Sequence, residues 1–246
     1  RGVKVFLGVK IDDLSIVGGS AKARLGNGQT IEADRVLVAT GRKPNTADLG
    51  LETVGIAPDR GFVRVNDRME TNVKGYYCIG DANGRCLLAH AASAHGVAAA
   101  ENALGHPYDL VAPIPNCVYT FPELASVGLT ADEARAKGMA ISVGSFPLTF
   151  LGKAMAAGET EGLVKVVRDR ESGQLVGVHM IGHNVTESIA AATALLHQRA
   201  SVQDVVETVF AHPTISESIK EAAEDAMQMA LHLPPRKILR VTAAVA

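Results

Sequence analysis

Phe-Ala-His-Pro-Thr-Ile-Ser-Glu occupies residues 210–217, and an alanine- and methionine-rich segment that predicts a helix follows at once. His212 stands five residues before the carboxylate of Glu217, with Pro213 fixing the backbone beside it. An imidazole near a carboxylate is a typical general base with its orienting partner. The same letters fit a capping box, in which Thr214 caps the helix and Glu217 bonds back to its start. The stretch therefore predicts a helix at Glu217 and leaves two roles open for its carboxylate.

The composition is that of an ordinary folded protein. The 246 residues are enough for one large or two modest domains, and 47% of them are hydrophobic. A net charge of -2 gives no electrostatic footprint for nucleic acid or an anionic membrane, and 4% aromatic content without Trp disfavours base stacking. Polar residues interrupt the longest apolar stretch, residues 87–104, so we expect no membrane span.

The cysteine content predicts neither a disulfide scaffold nor a metal site. Cys78, Cys86 and Cys117 are odd in number and show no C-x-x-C and no ligand-like spacing to histidine. Buried thiols in a reducing compartment follow, so we expect a cytoplasmic protein without a metal.

Short apolar runs that end in glycine loops dominate the first 112 residues. The expected strands are 3–14, 21–25, 29–34, 36–39, 62–65 and 76–79. Runs 36–39 and 76–79 are wholly or largely apolar and lead into Gly41 and Asp81, which is typical of strands buried on both faces that open into a ligand-side loop. A small-residue helix is predicted over 88–104. Together these features indicate α/β architecture.

Strands outnumber crossovers after a proline-rich joint at residues 111–115. The expected strands are 117–120, 126–129, 141–150 and a hairpin of 163–168 with 175–181. The expected helices begin at a capping box at 130–133 and cover 185–198, 202–209 and 217–231. This pattern predicts a separate α+β domain.

The last expected helix carries small residues on one face. Ile219, Ala223, Ala226 and Ala230 recur at helical spacing, whereas acidic residues are expected mostly on other faces. The small residues predict close packing against another helix, either of this chain or of a second subunit.

Three segments far apart in the chain carry a resemblance to a known family. They are Val-Leu-Val-Ala-Thr-Gly-Arg-Lys-Pro-Asn at 36–45, Tyr-Cys-Ile-Gly-Asp at 77–81 with Leu-Leu-Ala-His at 87–90, and the stretch from His212 to Glu217. In this order they closely resemble the FAD-dependent pyridine nucleotide–disulfide oxidoreductases, most of all the branch that oxidises dihydrolipoamide. Residues 119–128 resemble the opening of that family's interface domain. The resemblance implies an α/β then α+β fold, with part of the NAD-binding domain at 1–47, a second segment of the FAD-binding domain at 48–112 and the interface (dimerisation) domain at 113–246.

The resemblance also implies contacts to FAD and NAD. Asp81 would hydrogen-bond the ribityl chain of FAD, although Gly-Asp after a strand is also typical of a turn or helix cap. The residues that would bring helix-start N–H groups toward the flavin are Leu87, Leu88, Ala89 and His90. His90 also fits a packed or hydrogen-bonded histidine. Gly41 would lie beside the nicotinamide nucleotide, and Ile11 is the matching position of the first strand.

For the pair at the helix start, the resemblance implies proton transfer. His212 would accept a proton from dihydrolipoamide and later stabilise a thiolate beside the flavin, and Glu217 would hold the imidazole in the needed tautomer. In the family this histidine acts on the disulfide of the other subunit. The implied partners are therefore a second copy of the chain, and the lipoyl domain of a 2-oxo acid dehydrogenase or glycine cleavage complex.

The sequence also departs from the family pattern. It lacks the G-x-G-x-x-G fingerprint for FAD, the C-x-x-x-x-C redox pair and the second glycine fingerprint for NAD. We therefore expect the chain to be the C-terminal portion of a longer enzyme, inactive alone and weak in FAD binding. The alternatives are a non-enzymatic dimerisation module, or a glutathione or mercuric reductase branch. Residues 240–246 lack the cysteine pair that mercuric reductases usually carry.

Overall fold

A computed structural model describes residues 2–234 and separates the chain into two compact units, Arg1–Asn45 and Thr46–Ala246. Residues 240–246, which bear on the mercuric reductase alternative, lie outside the described residues.

The first unit contains an antiparallel meander. Its strands are β1 (Ile11–Val17), β2 (Ser20–Leu25) and β3 (Thr30–Ala33), paired in that order. Gly18 and Gly19 have positive φ angles of 61° and 89°, which glycine adopts without steric cost in the tight turn between β1 and β2. The expected hairpin from 21–25 to 29–34 is confirmed.

Two strand predictions in the first unit are wrong. The strand expected over 3–14 begins only at Ile11, and residues 36–39 form no strand. Leu37 is 91% exposed and Val38 72% exposed, although both were expected to be buried. A strand buried on both faces needs paired neighbours and covering helices. Among the described residues of this unit, no strand pairs with 36–39 and no helix covers them.

The second unit opens with irregular chain and one long helix. Short 3-10 turns lie at Leu51–Val54 and Gly80–Asn83, and helix α1 runs from Ala89 to Ala103, which confirms the helix expected over 88–104. The strands expected over 62–65 and 76–79 are wrong as regular strands, because only isolated bridges occur there, at Phe62 and at Tyr77. Met69 is fully buried against the Ala98–Ala99 side of α1, so side-chain packing organises this region instead of a strand ladder.

A five-stranded antiparallel sheet and five helices form the rest of the described part of the second unit, which confirms the predicted fold class. The hairpin expected between 163–168 and 175–181 is also confirmed. The strands of the sheet are β4 (Asn116–Val118), β5 (Glu123–Gly128), β6 (Ile141–Pro147), β7 (Leu163–Asp169) and β8 (Leu175–Gly182), in the order β4-β5-β8-β7-β6. Its helices are α2 (Ala131–Ala136), α3 (Gly152–Ala157), α4 (Val185–His197), α5 (Val202–Glu207) and α6 (Glu217–Ala226). Sequence patterning missed the short α3.

One face of this sheet is buried beneath the helices. Phe146, Val164, Met180 and Ala125 stand directly opposite one another across β6, β7, β8 and β5, and each is at most 4% exposed. Helices α4 and α6 pack on this face, α4 over β5 and β8 and α6 over β6 and β7. The alternation of buried and less buried residues along each strand follows from the two-residue period of a strand.

Local caps start the shorter helices, and a distant cap starts α4. Thr130 forms the complete capping box expected at α2, and Ser201 also forms a complete capping box at α5. Helix α4 has no such box, since its N-cap Asn184 makes no side-chain cap bond. The carboxylate of Glu123, on β5, instead accepts from the backbone N–H of Thr186 at 3.1 Å and from its hydroxyl at 2.8 Å.

Helix α6 packs chiefly against the strands β6 and β7, and it also contacts helix α5 of this chain. Ala222, Ala223 and Ala226 are at most 5% exposed. A Cβ atom at Gly144 of β6 would overlap the carbonyl oxygen of Ala222 and the backbone nitrogen of Ala226. The small residues of the helix and the glycine of the strand therefore let the two backbones approach directly.

Three of the four acidic residues of α6 are buried rather than displayed to solvent. Glu221, Glu224 and Asp225 are 8%, 6% and 5% exposed. Glu221 lies 2.7 Å from His232, Glu224 lies 3.4 Å from Lys220, and Asp225 accepts the backbone N–H of Ser145 at 2.8 Å. One oxygen of Glu221 and one of Glu224 are compensated in this way, whereas the Oε2 atoms of both are buried without a hydrogen-bond partner among the described residues. Helical periodicity does not reveal these tertiary contacts.

Replacement of Gly144 tests the contact between α6 and β6. We expect Gly144→Ala to lower the free energy of unfolding by about 3 kcal/mol, because the added methyl group overlaps helix backbone that cannot rotate away. Denaturant unfolding followed by circular dichroism measures the change.

Gly96 of α1 provides the matched control. Its added Cβ would meet only Ile79 at 3.8 Å, an ordinary contact. Gly96→Ala should stabilise by up to about 1 kcal/mol, because alanine is the better helix former. A Gly144→Ala protein as stable as the parent would contradict the described packing.

Candidate functional site

His212 and Glu217 form a direct pair at the start of α6. Nδ1 of His212 lies 2.9 Å from Oε1 of Glu217, and the side chains are 74% and 21% exposed. A carboxylate at Nδ1 favours the tautomer with a proton on that nitrogen. Nε2 then carries the lone pair, and it has no hydrogen-bond partner within residues 2–234. The pair therefore presents a basic nitrogen to solvent, with the carboxylate placed to stabilise its protonated form.

The same carboxylate also bonds to the backbone at the helix start, so Glu217 contacts both His212 and Thr214. Its Oε2 accepts the backbone N–H of Thr214 at 2.7 Å. The other half of the expected capping box is wrong, because the hydroxyl of Thr214 donates to the carbonyl of Ala211 and the N-cap is Ser216.

A neighbour of the imidazole was not recognised in the sequence. A Cβ atom at Gly152, the first residue of α3, would lie 3.5 Å from Cε1 of His212. The start of α3 therefore lies beside the ring. The sequence carried no signal for this contact, because α3 itself was not predicted.

Alanine variants separate the two roles of the pair in stability. We expect Glu217→Ala to cost about 1 to 2 kcal/mol, because the partly buried N–H of Thr214 loses its acceptor. His212→Ala should cost less than about 0.5 kcal/mol, because that side chain is mostly exposed. Thermal and denaturant unfolding of both variants measure this difference, and equal costs would contradict the assignment.

Asp81 lies in the 3-10 turn Gly80–Asn83, which is held closely against α1. Gly80 has a φ of 64°, and a Cβ there would lie 3.3 Å from Cβ of Ala92. Asn83 is fully buried, donates to the carbonyl of Cys78 at 3.1 Å and accepts the backbone N–H of Arg85 at 2.9 Å. The turn is therefore fixed from within, while Asp81 itself is partly exposed.

His95 of α1 completes the interior of this turn. It is 1% exposed, and its Nδ1 lies 3.3 Å from the backbone nitrogen of Gly80 and 3.3 Å from Nδ2 of Asn83. Because a backbone N–H only donates, Nδ1 accepts and the ring proton is on Nε2. Burial lowers the pKa of His95, and the charge of Arg85 lowers it further.

Helix α1 begins without a side-chain cap. Its N-cap residue Leu88 makes no such bond and its first turn carries no acid, so the first backbone N–H groups are not claimed by a side chain. Leu87 is 44% exposed, and Ala89 and His90 are also exposed. Nε2 of His90 lies 2.7 Å from the carbonyl oxygen of Pro115, so it donates there and His90 is a hydrogen-bonded histidine. A cavity of about 500 Å³ opens beside it, lined also by residues of β4 and α4.

Ile11 and Gly41 lie in the first unit. Ile11 opens β1 and is 59% exposed, and Gly41 has a φ of 105° with no atom within 4 Å of an added Cβ. In the second unit, the structure places Asp81 and the start of α1 in one stretch, and it brings His212 and Glu217 together. Sequence reasoning did not identify Asn83 and His95 as residues that hold the turn of Asp81. The one available signal is that His95 interrupts the run of alanines along α1.

Residues 2–234 show neither a metal-ligand cluster nor a membrane-spanning helix. No three His, Cys, Asp or Glu side chains in that range lie together as metal ligands would. No helix described there has both the length and the apolar character needed to span a membrane.

The depressed pKa of His95 predicts a pH dependence of stability. Above its ordinary pKa of 6.5 the imidazole is neutral in folded and unfolded chains alike. As the pH falls below that value, the unfolded chain takes up the proton first, so stability decreases until the lower folded pKa is passed. His95→Asn keeps an acceptor but has no titrating group at this position. The unfolding free energy of the parent minus that of the variant should therefore decrease from pH 7 to pH 5. A difference that is constant with pH would contradict this.

Comparisons with known proteins match most of the chain. A model described as the pyridine nucleotide-disulphide oxidoreductase dimerisation domain matches residues 114–223, and one described as pyridine nucleotide-disulphide oxidoreductase matches residues 1–96. Proteins named dihydrolipoyl dehydrogenase from Thermus scotoductus, Rhizobium etli and Bacillus subtilis are 44%, 41% and 39% identical to it over 95%, 92% and 94% of this chain. These matches cover 52%, 48% and 50% of the relatives, so the chain spans about half of their length.

Solved structures agree in fold. LpdA from Mycobacterium tuberculosis superposes with a TM-score of 0.84 at 29% identity, over 91% of this chain and 49% of that one. The HOCl-induced flavoprotein disulfide reductase RclA from Escherichia coli superposes with a TM-score of 0.80 at 23% identity, over 87% and 50% of the two chains, which supports the fold alone.

Proposed function

The chain belongs to the pyridine nucleotide–disulphide oxidoreductase family, and from this premise we propose that it supplies the C-terminal half of a dihydrolipoyl dehydrogenase. That enzyme would oxidise dihydrolipoamide with FAD and NAD as cofactors. The names of the relatives favour this branch over the glutathione and mercuric reductase branches.

The observation that carries the proposal is the pairing of His212 with Glu217 at 2.9 Å, with the imidazole exposed. Nε2 of His212 accepts the thiol proton of dihydrolipoamide, which leaves the sulfur as the thiolate needed for disulfide exchange. Glu217 stabilises the resulting imidazolium and keeps Nε2 outward. The N–H of Thr214 holds the carboxylate in place through its second oxygen.

The residues near α1 fit one side of an FAD site. Bound FAD would supply the electron acceptor for the dithiol. The partly exposed carboxylate of Asp81 suits the hydroxyl groups of a ribityl chain, and the uncapped start of α1 at Leu87–His90 suits an electron-rich ring. The glycine fingerprint for the pyrophosphate is absent from the sequence. This chain therefore provides part of the pocket, and alone it binds FAD weakly and does not turn over.

The nicotinamide side is assigned to the first unit. Gly41, which has open space where a side chain would stand, admits the NAD nucleotide, and Ile11 provides an apolar contact. We assign residues 1–47 to the NAD-binding domain, 48–112 to the FAD-binding domain and 113–246 to the interface domain.

The proposed partners follow from the matched domain and the chemistry of the base. The match to a dimerisation domain over 114–223 supports a homodimer, in which His212 acts on the disulfide of the second copy. A lipoyl domain of a 2-oxo acid dehydrogenase or glycine cleavage complex delivers the dithiol. The three free cysteines favour a reducing compartment, so we place the enzyme in the cytoplasm.

A second candidate is a dimerisation module without activity of its own. The dimerisation model covers the five-stranded sheet and most of its helices, which form the main hydrophobic core of the chain. A dimer by light scattering, without catalysis in any assembled form, would favour this candidate.

A chimaera tests the proposed activity. The N-terminal half of the Thermus scotoductus relative, joined to this chain, should form NADH from dihydrolipoamide and NAD, whereas this chain alone should not. The chimaera should not reduce glutathione disulfide or mercuric ion. His212→Gln in the chimaera should lower kcat by about 10²- to 10⁴-fold, because the thiol loses its proton acceptor.

The chain contains its own control for that variant. His232 lies 2.7 Å from Glu221, a residue of α6, and it is 67% exposed. This second pair therefore repeats the geometry of the proposed base. His232→Gln should leave kcat unchanged. Turnover by this chain alone, or equal effects of the two variants, would overturn the assignment.

A further inference from the structure

The turn that carries Asp81 is attached to α1 by one buried imidazole. Gly80 stands immediately before Asp81, and its backbone N–H points at Nδ1 of His95 from 3.3 Å. Asn83, two residues after Asp81, reaches the same nitrogen at 3.3 Å. His95 therefore contacts the turn on both sides of Asp81.

We infer that His95 is the positioning residue for Asp81, holding the turn Gly80–Asn83 through an unprotonated Nδ1. This inference rests on the proposed function, because it is FAD that Asp81 is proposed to contact. His95 itself is buried within α1 and touches no reacting group. Its effect on the cofactor passes through the orientation of Gly80 and Asp81.

The chemistry of the turn requires an acceptor at this point. The N–H of Gly80 and the amide of Asn83 are both donors, and the oxygen of Asn83 is already used by the N–H of Arg85. Without Nδ1, a buried donor is left unsatisfied, which costs more than the net value of the bond.

The surroundings keep the ring neutral. His95 lines a cavity of about 300 Å³ together with Arg85, Asp67 and Cys86. The charge of Arg85 disfavours a protonated imidazole, its 2.6 Å ion pair occupies Asp67, and burial raises the pKa of the Cys86 thiol, which keeps it uncharged. No carboxylate among these groups is free to stabilise a protonated imidazole.

Two substitutions separate positioning from simple packing. His95→Asn retains an acceptor near the place of Nδ1, whereas His95→Leu is the better helix former and the more hydrophobic side chain but has no acceptor. If the imidazole only filled space, leucine would be the better tolerated replacement. If it positions the turn, asparagine should restore what leucine loses.

Amide hydrogen exchange of the full chain, followed by NMR at pH 7, is the decisive measurement. In His95→Leu the N–H of Gly80 should exchange about tenfold faster than in the parent, with His95→Asn near the parent. Amides in the middle of β7 and β8 should be unaffected and report global stability. Unchanged Gly80 exchange in His95→Leu overturns the inference.

A titration with FAD, followed by quenching of flavin fluorescence, links the turn to the cofactor. We expect the dissociation constant to rise about tenfold in His95→Leu and to stay within about threefold in His95→Asn. The titration is made on the chimaera that carries the N-terminal half of the Thermus scotoductus relative, with the same substitutions at His95. Failure of this chimaera to bind FAD would overturn the FAD part of the proposed function, while the Gly80 exchange still decides the role of His95. Faster Gly80 exchange with unchanged FAD affinity would overturn the link to Asp81.

Discussion

The direct contact between the backbones of α6 and β6 determines where the candidate base stands. Gly144 leaves no side chain between strand and helix, and Asp225 adds a hydrogen bond to the neighbouring N–H of Ser145. A helix fixed at these points has little freedom to slide along its axis, since packed interiors yield poorly to displacement. Glu217 is the first residue of that helix, so the contact with the sheet also fixes the position of its carboxylate. The imidazole of His212 is oriented in turn by that carboxylate.

Two carboxylates of α6 each pair with a histidine outside the helix, and the geometry of the two pairs alone does not distinguish them. His212 pairs with Glu217 at 2.9 Å and His232 pairs with Glu221 at 2.7 Å. The two carboxylates are four residues apart, on one side of the helix. What separates the pairs is the surrounding sequence, because only the first lies in a stretch that resembles the family. Geometry and sequence context together, and not geometry alone, distinguish the two pairs.

Sequence patterns predicted the parts of the fold that local chemistry decides. The hairpin of β7 and β8, the capping box at Thr130 and the helix α1 follow from short-range rules, and all are present. The pairing of His212 with Glu217 was also accessible, because the residues lie close in sequence. The prediction of a buried strand at 36–39 was wrong because burial depends on neighbouring elements, which periodicity does not report. The partners of the acidic residues on α6 and the contact of His95 with Gly80 are tertiary, and the alanine-rich face of α6 did not indicate whether a helix or a strand would cover it.

The remote cap on α4 gives the domain an order of assembly. Its start is satisfied by Glu123, a residue 63 positions earlier on β5, and not by its own N-cap. Because helix nucleation is the costly step, a peptide of α4 alone lacks the group that would favour its first turn. The helix therefore gains this support only after β5 is in place, and its formation is coupled to a long loop closure that slows folding. Secondary structure in this part of the chain is a product of tertiary assembly as much as a precursor of it.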